Sequence, residues 1–375
     1  MDYNFNQEEL NIRDTIRQFA KKEVAPLVDQ IEREGKMPED LINKIIDLKI
    51  SGLPFPEKWG GSGASFVSLL LAVEELSYVY LPCMFYSLVS SMAAYGFMSF
   101  GSDHLKEKYL TGLLTGSITG AWAFTEPDTG SDPKQLKMKA VKDGDDWILN
   151  GTKRFITNSG RADIAVIFAT SEDGITAFVV ETDNPGYTVG RREQFLAFNG
   201  TDNGDIILED ARVKSENILG KVGEGFNILL GVEVFAKVAS CAGNVGLARA
   251  ALDLALQYAK EKTHRGTPIG LKFQMTQWNI ATMAAKVAAS QAFLYSVGAK
   301  MDKGENVSSE SSLLKIFTGG AAREVASDAV QVHGAYGLSK EYAVERLYRE
   351  ARFNEVILGT NELQRVIAAN VLLRS

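Results

Sequence analysis

Two short segments concentrate residue types that can do chemistry. In Ala123-Phe124-Thr125-Glu126-Pro127-Asp128-Thr129-Gly130-Ser131-Asp132, a β-type run enters a turn dense in hydroxyls and backbone donors, which suits hydrogen bonding to a planar heterocycle. In Gln331-Val332-His333-Gly334-Ala335-Tyr336-Gly337-Leu338, small residues after a long helix let backbone N–H groups approach an anion such as a pyrophosphate. Taken singly, the first also reads as a surface turn and the second as a helix C-cap. The only histidines are His104, His264 and His333, none at ligand spacing with cysteine or paired carboxylates, so no metal is expected. There is no Gly-x-Ser-x-Gly elbow and no P-loop, and Gly334–Gly337 does not follow a strand, which argues against a hydrolase and a Rossmann site.

Three blocks of elements must position these segments, expected at residues 1–118, 119–221 and 222–375. Leu10, Ile12, Ile16, Phe19, Leu27 and Ile31 recur at helical spacing and predict one amphipathic helix. A second helix begins at Pro38, Pro54–Gly61 breaks the pattern, and more helix runs to about Leu114. From Thr119 the period changes to two, with β-type runs at 147–149, 164–168, 175–180 and 205–208. Beyond Gly223-Glu224-Gly225, three long helical stretches at 226–262, 275–301 and 309–332 predict an antiparallel bundle.

Composition narrows the class. With 375 residues, 45% of them hydrophobic, the chain can bury a large core. A net charge of -7 lacks the basic footprint of a nucleic-acid binder. Cys83 and Cys241 read as buried thiols of a reducing compartment. The N-terminus lacks the pattern of a signal peptide and the apolar run near Leu69–Val73 is too short to span a bilayer, so a cytoplasmic protein without membrane or nucleic-acid partners is expected.

In this order, and with Pro56–Gly61, Asn150–Asn158, Tyr342–Arg352 and Gly359–Arg365, the segments make the chain resemble the acyl-CoA dehydrogenase family of flavoenzymes from Phe5 to Leu373. The resemblance implies an α+β fold: an N-terminal α-helical domain, a middle β-barrel or sheet domain and a C-terminal four-helix bundle, with FAD between sheet and bundle. By that likeness Thr125 and Thr157 meet the isoalloxazine, Phe155 stands where relatives often carry Trp, and Ser131 contacts the thioester. Gln274, Gln331, Gly334, Ala335 and Gly337 would serve the FAD of a neighbouring subunit, and Thr360 and Glu362 that of their own. Relatives read Arg-x-x-Phe-Gly where this chain has Lys262-Thr263-His264-Arg265-Gly266, so Arg265 is expected to supply the cation near the pyrophosphate.

The family reaction removes an α-proton with a glutamate while the β-hydrogen leaves as hydride to the flavin. Relatives place that glutamate before the Gly-Thr pair, where this chain has Leu358, or on the first bundle helix, where it has Ala236. Leu358 keeps a backbone N–H that can polarise a thioester carbonyl. At Ala236 two origins stay open, a natural chain without a base there and an engineered replacement of glutamate. Glu233 is the nearest carboxylate, one turn upstream and roughly 60° off that face, leaning away from it; it reads as a base or as a solvated or salt-bridged helix residue. Val234 and Lys237 replace the usual Asp and Arg along the pantetheine arm, so the handle is either coenzyme A or an acyl carrier protein. Gly231, Val232, Phe235 and Tyr80 are pocket candidates by helix phase.

The expected activity is FAD-dependent α,β-dehydrogenation of a small acyl thioester in a homotetramer or dimer, with an electron-transfer flavoprotein or oxygen as acceptor. The alternatives are an oxidase, a reductase, an elimination enzyme, or a flavin-binding relative without chemistry.

Overall fold

The computed structural model describes residues 3, 5–132 and 135–374. Helix α1 (Gln7–Phe19) is opened by a capping box in which Asn6 Oδ1 accepts Glu9 N and Glu9 Oε2 accepts Asn6 N, both at 2.9 Å. The single helix expected through Ile31 is interrupted: a π turn at Ala20–Val24 and a 3₁₀ turn at Ala25–Leu27 precede α2 (Val28–Glu34). Pro26 has no N–H to continue the α ladder, so its neighbours find other partners. Helices α3 (Glu39–Asp47), α4 (Phe66–Val79), α5 (Phe85–Phe100), α6 (Asp103–Leu105) and α7 (Thr111–Thr115) complete the first block.

Among the described residues, eight strands form one mixed sheet: β1 (Gly120–Ala123), β2 (Lys139–Asp143), β3 (Asp146–Thr157), β4 (Ile164–Ser171), β5 (Gly174–Glu181), β6 (Tyr187–Arg192), β7 (Asn203–Lys214) and β8 (Ile218–Leu219). Its order is β6-β7-β3-β2-β4-β5-β8, with β1 lying parallel to β4 from Gly120–Ile164 to Ala123–Ile167. Strand β4 is buried on both faces. Ile164, Val166 and Phe168 enter the helical core, while Ala165, Ile167 and Ala169 enter the sheet's own core, which explains the continuous apolar run.

The third block starts with the 37-residue α8 (Gly225–Glu261). A small hairpin, β9 (Thr263–His264) and β10 (Thr267–Pro268), leads to α9 (Ile269–Lys272), α10 (Gln274–Asp302), α11 (Ser308–His333), a 3₁₀ turn (Gly334–Leu338), α12 (Ala343–Val356) and α13 (Asn361–Arg374). Helices α8, α10, α11 and α12 pack as the bundle, and α13 lies on α11. Glycines let α4 cross α8 closely: a Cβ at Gly246 would stand 2.2 Å from Glu74 O.

By length and composition alone, the helices at Leu81–Phe100 and Gly225–Glu261 are long and apolar enough to cross a membrane. Both are mostly buried inside the fold, as central helices of a packed domain are.

Candidate active site

Strand β3 delivers the first group. A register shift between Lys153 and Ile156 coincides with left-handed φ at Phe155 (62°), so the bulge turns that ring outward, where it is 48% exposed. Thr157 follows, its Oγ1 donating to Asn203 Oδ1 at 2.7 Å. Thr125 joins it across the chain, its carbonyl accepting Arg154 N at 2.8 Å. A fully buried ion pair fixes the end of β1 behind them: Lys153 Nζ donates to Phe124 O at 2.9 Å and Glu126 Oε1 at 2.8 Å. Sequence reasoning missed this pair, although a lysine inside a β-type run was its visible signal. Ser131 lies exposed at the tip of the adjoining turn.

The bundle supplies the facing group. Phe155 contacts Phe195 at 5.8 Å between ring centroids, and Phe195 contacts Phe353 of α12 at 5.2 Å. Just beyond α12, Leu358 and Gly359 both take left-handed φ, 52° and 75°. The turn ends at Thr360, whose Oγ1 accepts Leu363 N at 3.1 Å and caps α13, with Glu362 exposed in its first turn. The bulge is thus linked through Phe195 to the end of α12, which the turn follows.

Under that turn lies a buried polar cluster. Lys237 Nζ donates to Gln364 Oε1 at 3.0 Å and Ser312 Oγ at 3.4 Å, and Gln364 Nε2 sits 2.6 Å from where a Cβ on Gly359 would lie. Lys315 Nζ donates to Asn354 O at 3.1 Å. Burial pulls both amines below the ordinary lysine range, Lys315 to about 8. Gln364 Nε2 and both amide atoms of Asn361 are buried without a partner. Ala236 is fully buried, so a bare methyl group stands where a base was sought. Glu233 is partly exposed, and burial pushes its carboxyl up against the opposing pull of Lys237 and Lys315.

The pocket candidates separate. Gly231, Val234 and Phe235 line a cavity of about 540 Å³ with Phe55, Phe66, Tyr95, Asp302 and Glu305. Val232 is packed in the core and lines nothing there. Tyr80 is closed off as well, its hydroxyl donating to Glu32 Oε1 at 2.8 Å, because a buried phenol needs an acceptor and finds one away from the crevice.

A second group of sequence-picked residues gathers at the far end of α8. Arg265, at φ 51°, tips the exposed hairpin; Gln274 starts α10; Gln331, Gly334 and Ala335 lie exposed where α11 ends, while Gly337 is buried against Val330 O. Lys262 Nζ, 5.2 Å from the Tyr336 ring, ties hairpin to turn. Twenty-five helical residues lie between Ala236 and the cap residue Lys262, about 39 Å of rise. One chain therefore holds the two groups far apart.

His333 stacks on Tyr258 at 4.2 Å, its Nδ1 is 2.8 Å from Ala329 O, and burial lowers its pKa. As pH falls below about 6.5 the unfolded chain binds a proton that the folded chain resists, so stability should drop. In thermal melts at about pH 7 and pH 5, His333→Phe should lose less Tm than the parent.

Partly exposed Thr125 and Thr157, exposed Ser131, partnerless buried amides and an outward aromatic ring form a set that fits a planar hydrogen-bonding heterocycle, as the isoalloxazine of FAD is. Comparison with known proteins points the same way. Residues 6–117, 121–211 and 223–373 match the models of the acyl-CoA dehydrogenase N-terminal, middle and C-terminal domains. An acyl-CoA dehydrogenase of Bacillus subtilis is 38% identical over 98% of each chain. Butyryl-CoA dehydrogenase from Megasphaera elsdenii superposes with a TM-score of 0.97 at 32% identity, over 100% of both chains. The FAD complex of PigA superposes at 0.94 with 27% identity, again over 100% of both.

Proposed function

The chain belongs to the acyl-CoA dehydrogenase family, and from that premise we propose that it oxidises the Cα–Cβ bond of a short acyl thioester to the α,β-unsaturated thioester. The link from the Phe155 bulge through Phe195 to the end of α12, just before the Leu358–Gly359 turn, carries this reading. FAD, when bound, supplies the two-electron acceptor for the β-hydrogen. Thr125, Phe155 and Thr157 would hold its ring, with Thr360 and Glu362 nearby. The Leu358 N–H would polarise the thioester carbonyl and acidify the α-proton, and Ser131 would close on the thioester from the sheet side.

Two features define the substrate. Ala236, Ser240 and Gly243 share one face of α8, and a Cβ at Gly243 would stand 2.6 Å from Met84 Sδ and 2.9 Å from Leu81, so those two side chains would limit an acyl group laid along that face. A short acyl group follows. Met84→Ala should raise kcat/KM for an eight-carbon relative to a four-carbon thioester by about 10- to 100-fold.

The cavity beside Val234 favours a second reading of the handle. Asp302 and Glu305 line it and no lysine or arginine does, which suits a neutral pantetheine presented by an acyl carrier protein better than the phosphates of coenzyme A.

The Arg265, Gln274, Gln331, Gly334, Ala335 and Gly337 group would serve the FAD of a second copy in a dimer or tetramer. Leu271, Met275, Trp278 and Leu338, each at least 69% exposed nearby, give that copy an apolar surface to cover. Electrons would pass to an electron-transfer flavoprotein. The buried free thiols Cys83 and Cys241 accord with the cytoplasm.

Anaerobic titration of the FAD-loaded chain tests the proposal. Four-carbon thioesters on coenzyme A or carrier protein should bleach the flavin and eight-carbon ones much less. No bleaching by any thioester, in the parent or in Ala236→Glu, would overturn it.

A further inference from the structure

The link between α12 and α13 is strained and closely held. Leu358 and Gly359 lie one after the other in the left-handed region, at φ 52° and 75°, a conformation unfavourable for leucine. Such a turn persists only where its surroundings fix it. Each of its flanks is met by a buried lysine. From α11, Lys315 Nζ donates to Asn354 O at 3.1 Å, one of the carbonyls that the last turn of α12 leaves without an intrahelical partner. From α8, Lys237 Nζ donates at 3.0 Å to Oε1 of Gln364, near the start of α13.

The second contact decides which way the Gln364 amide faces. Its Oε1 also accepts the Ser312 hydroxyl at 2.8 Å, so the oxygen is held between α8 and α11 and the nitrogen faces the turn. Reversing the amide would turn its NH₂ toward the Lys237 ammonium. A Cβ at Gly359 would lie 2.6 Å from Gln364 Nε2, so the amide fills the space that a side chain there would need. Gln364 N closes the link by donating to Thr360 O at 3.0 Å. Lys237 and Lys315 are 5% and 1% exposed, and the hydrogen bonds they donate go to neutral oxygens. A buried ammonium loses more hydration than neutral acceptors return. Both costly groups bear on the two ends of one strained turn.

We propose that Lys237 and Lys315 form a clamp that positions the Leu358–Gly359 turn, and with it the Leu358 N–H that would polarise the thioester carbonyl. This rests on the thioester oxidation proposed above. Both are positioning residues: Lys237 acts through Gln364, and Lys315 through the end of α12. With both flanks fixed, the N–H meets charge developing on the carbonyl oxygen without the turn having to reorganise. Lys237, read from the sequence as bordering the pantetheine arm, works from beneath the turn instead.

The test compares the full chain with Lys315→Met, with Lys237→Met and Gln364→Met singly and together, and with Arg249→Ala, which loosens the α8–α4 contact instead. Amide hydrogen exchange at residues 357–364 is read by mass spectrometry without ligand. On the FAD-loaded chain, difference infrared spectroscopy reads the carbonyl stretch of a bound four-carbon 2-enoyl thioester, and anaerobic bleaching by the saturated four-carbon thioester gives a rate. Each Met variant should speed exchange at 357–364 about 10-fold, return the stretch toward that of the free thioester, and slow bleaching about 10²-fold. The Lys237–Gln364 double variant should be no worse than either single one, because the two act as a unit. Parent-like exchange and stretch in either lysine variant overturn the clamp while leaving thioester oxidation standing. Equal changes in Arg249→Ala also overturn it, since general loosening would then suffice. A parent that neither bleaches nor shifts the stretch removes thioester oxidation and the polarising role together.

Discussion

Lys153→Ala should lower unfolding stability by about 3–5 kcal/mol and release bound flavin. Lys153 and Glu126 are buried with side-chain exposures of 0% and 3%, so removing the amine strands a carboxylate in the sheet's interior. Glu126 keeps two backbone donors, Lys137 N at 2.6 Å and Met138 N at 3.0 Å, which relieve only part of that cost. The amine also fixes Phe124 O, one residue before Thr125, so its loss frees the strand end expected to meet the flavin. Thermal melts with and without added FAD check this: Tm falls in both, and the gain from FAD shrinks.

Arg249→Ala should cost about 3 kcal/mol, the lower end of the same range, but spare the flavin in the folded fraction. Arg249 NH1 reaches Glu74 Oε1 at 2.5 Å and Glu75 Oε1 at 3.0 Å, joining α8 to α4. Its loss is softened because Arg17 still pairs with Glu75 at 2.8 Å and the Tyr295 hydroxyl still donates to Glu74. None of these groups borders the crevice. Equal destabilisation with unequal flavin loss would separate the sheet's ion pair from the bundle's, and flavin loss matching that of Lys153→Ala would contradict the assignment.

Much of the architecture was legible because periodicity reports burial directly. The period-two runs at 147–149, 164–168, 175–180 and 205–208 are strands, and the three long helical stretches are α8, α10 and α11. Strands β2 and β6 and the two-residue β8, β9 and β10 went unread: β2 is mostly exposed, β6 is polar apart from Tyr187 and Val189, and a two-residue strand has no period to read. Pro26 was visible, but apolar spacing on both sides of it concealed the break between α1 and α2.

The crevice was less legible. Helix α8 is buried over most of its circumference, so its sequence does not say which face meets which neighbour. That is why Tyr80 and Val232 looked like pocket walls, and why the Lys237–Gln364–Gly359 contact could not be foreseen from residues 127 apart in the chain. The absence of carboxylates at 236 and 358 was plain in the sequence.

Every role assigned at the crevice supposes one cofactor, so flavin uptake by the purified chain is decisive. Titrated with FAD, it should take up a single equivalent per chain, turn yellow, and lose that uptake selectively in Lys153→Ala. A chain that stays colourless at saturating FAD while fully folded would contradict the assignment of the sheet–bundle boundary as the site of thioester oxidation.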